Sequence, residues 1–277
     1  MAIARWATGR DRSWFAARTA DEVAASLRSA ELALIRILTE RRLAGEPLAY
    51  LLGFREFYGH DFFVNRAVLI PRADTECLVE EGLTHLSAMV LAKRHPSDGA
   101  EPANLRVLDM GTGSGCVAIS LALAARAKGW TLSVTATDQS AAALSVARNN
   151  AHWLGANIHF AQGDWYEALG SVPQPFDLIV SNPPYIGALD PHLRQGDLPY
   201  EPMSALAGRK PSPGGLADLQ ALVDGAGAWL KPGGWLMVEH GHDQQSAVMA
   251  LMKAAGFVNI SGLVDLSGTP RLVTGQL

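Results

Sequence analysis

Short apolar segments alternate with amphipathic segments from Leu105 onward, and this alternation constrains the fold more than any other feature. It predicts strands at 106–108, 132–137, 158–161, 176–181, 235–239, 258–264 and 271–274, and helices at 115–128, 140–154, 219–230 and 244–255. Strands that alternate with helices form a mostly parallel sheet with helices on both faces. The last two strands are joined by a short connection, so they must be antiparallel.

The N-terminal region follows a different pattern. Thr19 and Glu22 have the spacing of a capping box, and the apolar residues after them predict one helix that ends near Gly45. The aromatic, glycine-punctuated segment 51–71 predicts a β-hairpin, and a second helix is expected from Asp74 to about Leu91. The segment 93–104 contains prolines and glycine and predicts a loop. We therefore expect a helical domain at 1–50, a hairpin and linking helix at 51–92, and an α/β domain at 93–277.

Composition excludes several classes of protein. Hydrophobic residues make up 48% of the 277 residues, which is enough for a packed core, yet no apolar run reaches the ~18 residues of a membrane span. The N-terminus has no signal-peptide pattern, and two cysteines cannot form a disulfide scaffold or a Cys-rich zinc site. His240 and His242 lack a third ligand, so we predict no metal. A net charge of -4 disfavours stable nucleic-acid binding. These features predict a cytoplasmic protein.

A glycine-rich loop follows the first strand of the α/β region. It reads Asp109-Met110-Gly111-Thr112-Gly113-Ser114-Gly115. Glycines there allow a tight turn and a close approach of ligand to backbone, and ligands bind at the carboxyl ends of such strands. The spacing departs from the dinucleotide pattern, because Cys116 occupies the third glycine position. Asp109, immediately before the loop, suits a ligand with a cationic amino-acid portion better than a pyrophosphate, so we predict that it binds the ligand too. A tight turn without a ligand is the simpler alternative.

Acidic residues end the next two strands. Asp138 is placed where an acid accepts hydrogen bonds from both ribose hydroxyls of an adenosine. Asp164 can bond an adenine amino group and Trp165 can cover the base, although Asp164 also suits a helix N-cap. Together with the glycine loop, these residues predict a site for S-adenosyl-L-methionine.

The tetrapeptide Asn182-Pro183-Pro184-Tyr185 follows the fourth strand. An amide or aromatic amine nitrogen is hard to methylate because its lone pair is delocalised. The Asn182 side-chain oxygen and the Pro183 carbonyl can accept from its two N–H groups and direct the lone pair towards a methyl donor. Proline fixes φ and so fixes the carbonyls in advance, and Tyr185 can stack on the planar group. A proline-stiffened loop without chemistry is the alternative.

These motifs, taken together, closely resemble the HemK/PrmC family of release factor glutamine methyltransferases. The matching stretches are 48–53, 57–59, 68–72, 74–76, the glycine loop, 182–186, 201–202 and 239–241, which extend from about Leu48 to the C-terminus. The resemblance implies a seven-stranded, Rossmann-like class I methyltransferase domain behind a small helical N-terminal domain. It also implies methyl transfer to the glutamine side-chain nitrogen (N5) in the Gly-Gly-Gln motif of class I peptide chain release factors, with S-adenosyl-L-homocysteine as product. By this resemblance, Gly111 to Gly115, Asp138, Trp165 and Asn182 bind the cofactor, and Asn182 to Tyr185 hold the glutamine.

Three other functions stay open at this point. A related enzyme that methylates a glutamine of a large-subunit ribosomal protein would share the fold and the tetrapeptide. An amino-methyltransferase of adenine or cytosine also acts on a planar –NH2 group, but it needs a basic surface to reach a flipped base. A non-catalytic binding module of the same fold would not need Asn182, Pro183 and Tyr185.

Overall fold

The computed structural model describes residues 1–93, 104–170, 174–208, 212–265 and 267–277. The loop that we predict at 93–104 lies almost wholly outside these residues. Within them, the chain forms a helical N-terminal region, a two-stranded hairpin and a seven-stranded sheet flanked by helices. The predicted α/β fold class is therefore confirmed.

Five short helices form the N-terminal region: α1 (Ala2–Thr8), α2 (Arg12–Ala16), α3 (Ala20–Ser26), α4 (Ser29–Leu43) and α5 (Leu48–Leu52). The predicted capping box is present, because Thr19 and Glu22 exchange hydrogen bonds at the start of α3. The prediction of one continuous helix up to Gly45 is wrong. Leu27 and Arg28 adopt extended backbone, and a new helix begins after Arg28, whose N–H donates to Glu31 at 2.7 Å.

The hairpin consists of β1 (Phe54–Phe57) and β2 (His60–Phe63), as the aromatic segment predicts. Tyr58 and Gly59 both have positive φ, 50° and 76°, which is the geometry of a two-residue turn that matches the strand twist. Phe57 and Phe62 are buried and attach the hairpin to the core. A 3-10 turn (Ala73–Thr75) and α6 (Glu76–Lys93) follow.

The large sheet contains β3 (Asn104–Met110), β4 (Thr131–Asp138), β5 (Ile158–Gln162), β6 (Phe176–Ser181), β7 (Leu230–Glu239), β8 (Val258–Val264) and β9 (Pro270–Gln276). Its strand order is β5-β4-β3-β6-β7-β9-β8. The first five are parallel, and β9 is antiparallel to both of its neighbours. After β3, the next strands β4 and β5 are added on one side of it, and β6 and β7 are then added on its other side. A change of side of this kind opens a ligand crevice at the carboxyl edge of the sheet.

Helices cover both faces of this sheet: α6, α7 (Cys116–Ala127), α8 (Ala141–Leu154), α10 (Ala217–Ala226) and α11 (Gln245–Ala254). The short helix α9 (Met203–Leu206) packs in a separate small cluster with Leu193. Successive residues of β6 alternate between the two cores, so Leu178 and Val180 pack with α6 and α7, and Ile179 packs with α10 and α11. The predicted end of the helix at Leu230 is wrong. The Phe176 N–H already donates to the Trp229 carbonyl at 2.7 Å and Phe176 pairs with Leu230, so the chain joins the sheet at Leu230.

Candidate active site

The glycine loop connects β3 to α7 at the carboxyl edge of the sheet. Gly111, Gly113 and Gly115 have φ values of 70°, 55° and 83°, which residues with a Cβ rarely adopt. A Cβ on Gly115 would also lie 2.9 Å from Ile119 Cδ1 and 3.2 Å from Ala147 Cβ. The loop therefore needs glycine for its backbone conformation and for the close packing of α7 against α8.

Asp109 supports this loop from the interior. It is 2% exposed, and its Oδ2 accepts from the Thr112 hydroxyl at 2.6 Å and from the Ala118 N–H at 3.2 Å. Burial raises the pKa of Asp109 to about 6, although both hydrogen bonds act to lower it. Asp109 thus shapes the loop through Oδ2 and also borders the cavity described below.

Asp138 ends β4 directly opposite the loop. Its Oδ2 accepts from the Gly113 N–H at 2.9 Å, and its Oδ1 accepts from the Ser140 N–H at 2.8 Å. Burial raises the pKa of Asp138, and the backbone hydrogen bonds oppose that shift. A carboxylate offers about four acceptor positions, so both oxygens retain capacity for the two hydroxyls of a ligand diol.

Asp164 and Trp165 follow β5 and approach the loop from the other side. Trp165 has a φ of 43°, which is rare for a bulky residue, and a Cβ on Gly111 would lie 3.7 Å from its ring. Asp164 precedes a 3-10 helix (Trp165–Leu169), but its side chain makes no capping hydrogen bond. The Asp164 side chain therefore does not act as a helix cap. The strained backbone at Trp165 is typical of a functional position.

Asp218 completes this end of the cavity, and the sequence analysis missed it. The Trp165 side chain donates a hydrogen bond to Asp218, while burial raises the pKa of the Asp218 carboxyl. A Cβ on Gly208 would clash with that carboxylate, so glycine there makes room for it. An acid in the first turn of a helix is ordinary, and for that reason Asp218 carries no signal of its own in the sequence.

Asn182 lies just beyond β6, and its side-chain amide is hydrogen-bonded to a buried hydroxyl group. Its Nδ2 donates to the Thr75 hydroxyl oxygen at 3.0 Å, and Thr75 is 2% exposed. The Asn182 Oδ1 is thereby left for another partner. Asn182 and Pro184 line the cavity, and Pro183 is buried between them in the chain.

Tyr185 is held by hydrogen bonds to two residues outside the tetrapeptide. Its hydroxyl donates to Glu239 Oε1 at 3.1 Å, and the Gln244 Nε2 donates to its carbonyl oxygen at 2.9 Å. Burial raises the pKa of the Tyr185 phenol, so it is neutral. Within the described part of the chain, Tyr185 is not one of the residues that line the cavity. Its stacking on a substrate stays a prediction.

The cavity that these residues border has a volume of about 680 Å³, within the range typical of small-molecule sites. The segment between the hairpin and α6 forms one wall, which includes Val68, Leu69 and Arg72. The Arg72 guanidinium is paired with the fully buried Glu201 side chain. Neither residue stood out in the sequence as a partner of the other, because 129 positions separate them.

Asn150, on α8, ties the hairpin to the glycine loop. Its Nδ2 donates to the Phe63 carbonyl at 3.0 Å and to the Ser114 carbonyl at 2.8 Å, and its Oδ1 accepts from the Phe63 N–H at 2.7 Å. Asn150 is fully buried. One side chain therefore bonds both the hairpin and the loop that borders the cavity.

In the ranges that the structure describes, no cluster of three or more His, Cys, Asp or Glu side chains is arranged to hold a metal ion. Over the same ranges, no helix has the length and apolar character needed to cross a membrane.

Two family models match the chain. Residues 1–53 match the PrmC N-terminal domain, and residues 87–194 match the methyltransferase small domain. A release factor glutamine methyltransferase of Bordetella pertussis is 46% identical over 275 residues, which cover 99% of this chain and 93% of that protein. The chain belongs to the release factor glutamine methyltransferase family. A Xylella fastidiosa protein of the same name is 44% identical over 96% of this chain and 88% of its own length.

Membership in the release factor glutamine methyltransferase family confirms the resemblance and the enzyme class, methyltransferase. It also corrects one boundary. We placed the start of the resemblance near Leu48, whereas the PrmC N-terminal domain begins at residue 1. The small helical domain is therefore part of the family pattern.

Solved structures support the fold. A methyltransferase from Pyrococcus furiosus aligns with a TM-score of 0.52 and 18% identity, covering 86% of this chain and 96% of that one. A 16S rRNA methyltransferase from T. thermophilus, solved with AdoMet and guanosine, aligns with a TM-score of 0.52 and 17% identity, covering 80% of this chain and 49% of that one. At these identities the likeness concerns the fold alone.

Proposed function

We propose that this chain transfers a methyl group from S-adenosyl-L-methionine to the side-chain amide nitrogen (N5) of the glutamine in the Gly-Gly-Gln motif of class I peptide chain release factors. S-adenosyl-L-homocysteine is the product. The observation that carries the proposal is the oriented Asn182 amide, which borders the same cavity as Asp138. The names of the relatives support release factors as the substrate.

The residues around the cavity fit this cofactor. Asp138 offers acceptors for the ribose hydroxyls, and Asp164 and Trp165 provide an acceptor and a flat ring for the adenine. The backbone of Gly111, Thr112, Gly113, Ser114 and Gly115 leaves room beside β3, and Asp109 keeps that loop in shape. When bound, S-adenosyl-L-methionine supplies a methyl group on a positively charged sulfur.

The tetrapeptide fits a planar primary amide. Asn182 Oδ1 and the Pro183 carbonyl each accept one N–H of the glutamine side chain, and this leaves the nitrogen lone pair perpendicular to the amide plane. The prolines keep φ fixed, so the acceptors are in place before the substrate binds. Tyr185 contributes to binding the planar group, and the proton lost from nitrogen passes to water.

The N-terminal helices are proposed to bind the body of the release factor. A single glutamine offers little surface, whereas protein partners bury on the order of 800 Å² on each side. The family models end at residue 53 and begin again at residue 87, which supports a division into 1–50, 51–92 and 93–277. Residues 19–45 are the proposed docking segment. Cytoplasmic location and the absence of stable nucleic-acid binding are parts of the same proposal.

The test is a methyl-transfer assay with labelled cofactor and three separate acceptors: an intact release factor, the large-subunit ribosomal protein and DNA. Mass spectrometry then locates the label. We expect label on the Gly-Gly-Gln glutamine alone. Label on the ribosomal protein or on DNA instead would refute the proposal in favour of the other two functions.

The variant Asn182→Ala tests the site in the same assay. Loss of one preorganised acceptor should lower the single-turnover rate at saturating cofactor by about 10²–10³-fold. Asn149→Ala is the matched control, because Asn149 is exposed on α8. Near-normal turnover of Asn182→Ala would show that the Asn182 amide does not position the substrate.

A further inference from the structure

Glu239 is a buried carboxyl group that the mechanism above does not use. It ends β7 and is 1% exposed, and its Oε1 accepts from the Tyr185 hydroxyl. Its Oε2 is also buried, and it has no hydrogen-bond partner among the residues that the structure describes. A buried, incompletely bonded carboxyl destabilises a fold, and its neighbours indicate what it could contribute in return.

Thr75 connects Glu239 to Asn182. The Thr75 oxygen accepts from Asn182 Nδ2 at 3.0 Å, and a hydrogen bond from the Thr75 side chain lowers the pKa of Glu239. A hydroxyl has a single proton to donate. If Thr75 gives that proton to Glu239, only its lone pairs face Asn182, and the amide must turn its NH2 group towards Thr75.

We propose that ionised Glu239 sets the direction of the hydrogen bonds through Thr75 and so determines which end of the Asn182 amide faces the cavity. With an ionised Glu239, Asn182 presents its oxygen to the N–H groups of the substrate amide. A protonated Glu239 can donate to Thr75 instead. Thr75 then donates to Asn182 Oδ1, and the reversed amide meets the substrate with donor facing donor.

This inference rests on the proposed function, because it concerns the acceptor that the glutamine amide meets. Glu239 and Thr75 are positioning residues, since both act through Asn182 rather than on the substrate.

Charged groups of both signs face Glu239. Arg271, on β9, favours its ionised form, and Asp74, just before α6, opposes it. Arg271 is also paired with Asp74 at 3.1 Å and with Asp265 at 3.2 Å, so its charge is shared. Burial outweighs these contributions and raises the pKa of Glu239 to about 7. Both directions of the hydrogen-bond chain are therefore accessible near neutral pH.

The cysteine, histidine and tyrosine side chains around Glu239 are neutral near neutral pH. Burial raises the pKa of the Cys77 and Cys116 thiols to about 12, with Glu239 adding to the effect. Burial lowers the pKa of His240, the next residue in the chain, and the Tyr185 phenol stays protonated. Ionisation of Glu239 is thus the change of charge in this group that occurs near neutral pH.

The experiment measures single-turnover methyl transfer to an intact release factor at saturating cofactor between pH 5.5 and 9. The variants are Glu239→Gln, Thr75→Val and Thr75→Ser, with Glu80→Gln as the control, because Glu80 is an exposed carboxylate on α6. Cofactor affinity is measured for each by calorimetry. The wild-type rate should fall in acid with a midpoint at or below about 7, since the positive charge of the bound cofactor favours the ionised form of the Glu239 carboxyl.

Glu239→Gln should lower the rate about 10²-fold, comparable to the loss of one preorganised hydrogen bond, and should remove the acidic fall. Thr75→Val should lower it similarly, and Thr75→Ser should restore it. Because every rate is measured at saturating cofactor, a loss of cofactor affinity through Asn182 does not enter this comparison. A Glu239→Gln enzyme with the wild-type rate and pH profile would overturn the inference and leave the proposed function intact.

Two other results are also decisive. If Glu239→Gln does not fold, a Thr75→Val enzyme with the wild-type rate would refute the inference by itself. If the wild-type chain transfers no methyl group to the release factor, the proposed function fails first, and the inference fails with it.

Discussion

The replacement Glu239→Gln should stabilise the protein above neutral pH, even though it slows methyl transfer. The carboxyl group has an ordinary pKa of 4.5 and a pKa of about 7 in the folded chain. Between these two values the folded state binds more protons than the unfolded state. The free energy of unfolding therefore falls as pH rises through this window. Glutamine has nearly the same shape but does not ionise, so the free energy of unfolding of the variant does not fall for this reason.

The magnitude follows from the shift. A difference of 7 minus 4.5 is 2.5 pKa units, and at ~1.4 kcal/mol per unit the ionised form costs about 3 kcal/mol at pH 8. Near pH 4.5 the wild type and the variant should differ little. Other buried acids, such as Asp109 with a pKa of about 6, shift both proteins alike and cancel in the difference.

Urea denaturation of both proteins at half-unit intervals from pH 4.5 to 8, followed by circular dichroism, measures this difference directly. The free energy of unfolding of the variant minus that of the wild type should increase between pH 5 and 7 and reach a plateau of about 3 kcal/mol. A difference that stays constant over this range would show that Glu239 ionises normally, and the reasoning from its burial would then be wrong. A more stable yet slower variant would separate the structural cost of Glu239 from its part in the reaction.

Three further predictions concern cofactor binding and docking. Asp138→Ala should weaken cofactor binding by ~1.5–3 kcal/mol while the protein stays folded, and unchanged affinity in a calorimetric titration would remove Asp138 from the site. Asp218→Ala should weaken it by about tenfold, because the Trp165 side chain loses its hydrogen-bond partner; equal affinities would contradict this. A chain that starts near Leu48 should keep cofactor affinity but show a higher KM for the intact release factor, and a short Gly-Gly-Gln peptide should be a poor substrate for both lengths. An unchanged kcat/KM in a folded short chain would disprove docking through the N-terminal helices.

The central strand β6 was predictable because it is a short run of mostly apolar residues bounded by turn-forming ones. Phe176 to Ser181 is buried at every position, and its predicted limits match the observed strand. Leu230 was misassigned because its apolar neighbours continue the helical spacing, and only the Phe176–Trp229 hydrogen bond shows that the chain has entered the sheet. The break at Leu27 was missed because no proline or glycine marks it.

The site was predictable where a motif follows a strand, and less so where distant segments meet. The glycine loop, Asp138 and Asn182 all stand at strand ends, so their proximity follows from the parallel sheet. The bond from Asn182 to Thr75 joins residues 107 positions apart. Short matching stretches contain Thr75 and Glu239, but nothing in the spacing shows that both support the tetrapeptide.

The wide spacing of these contacts has a consequence for the order in which the enzyme forms. Chains are synthesised from the N-terminus, and domains begin to fold as they emerge. The glycine loop and Asp138 gain their partners Asn150 and Ser140 soon after they emerge. Tyr185 gains its partner 54 residues after itself, at Glu239. Arg271, which faces Glu239, comes later still, on the strand that pairs with β7. A chain that ends before Glu239 would therefore lack the support of Tyr185, and competence for transfer is expected only with the last strands.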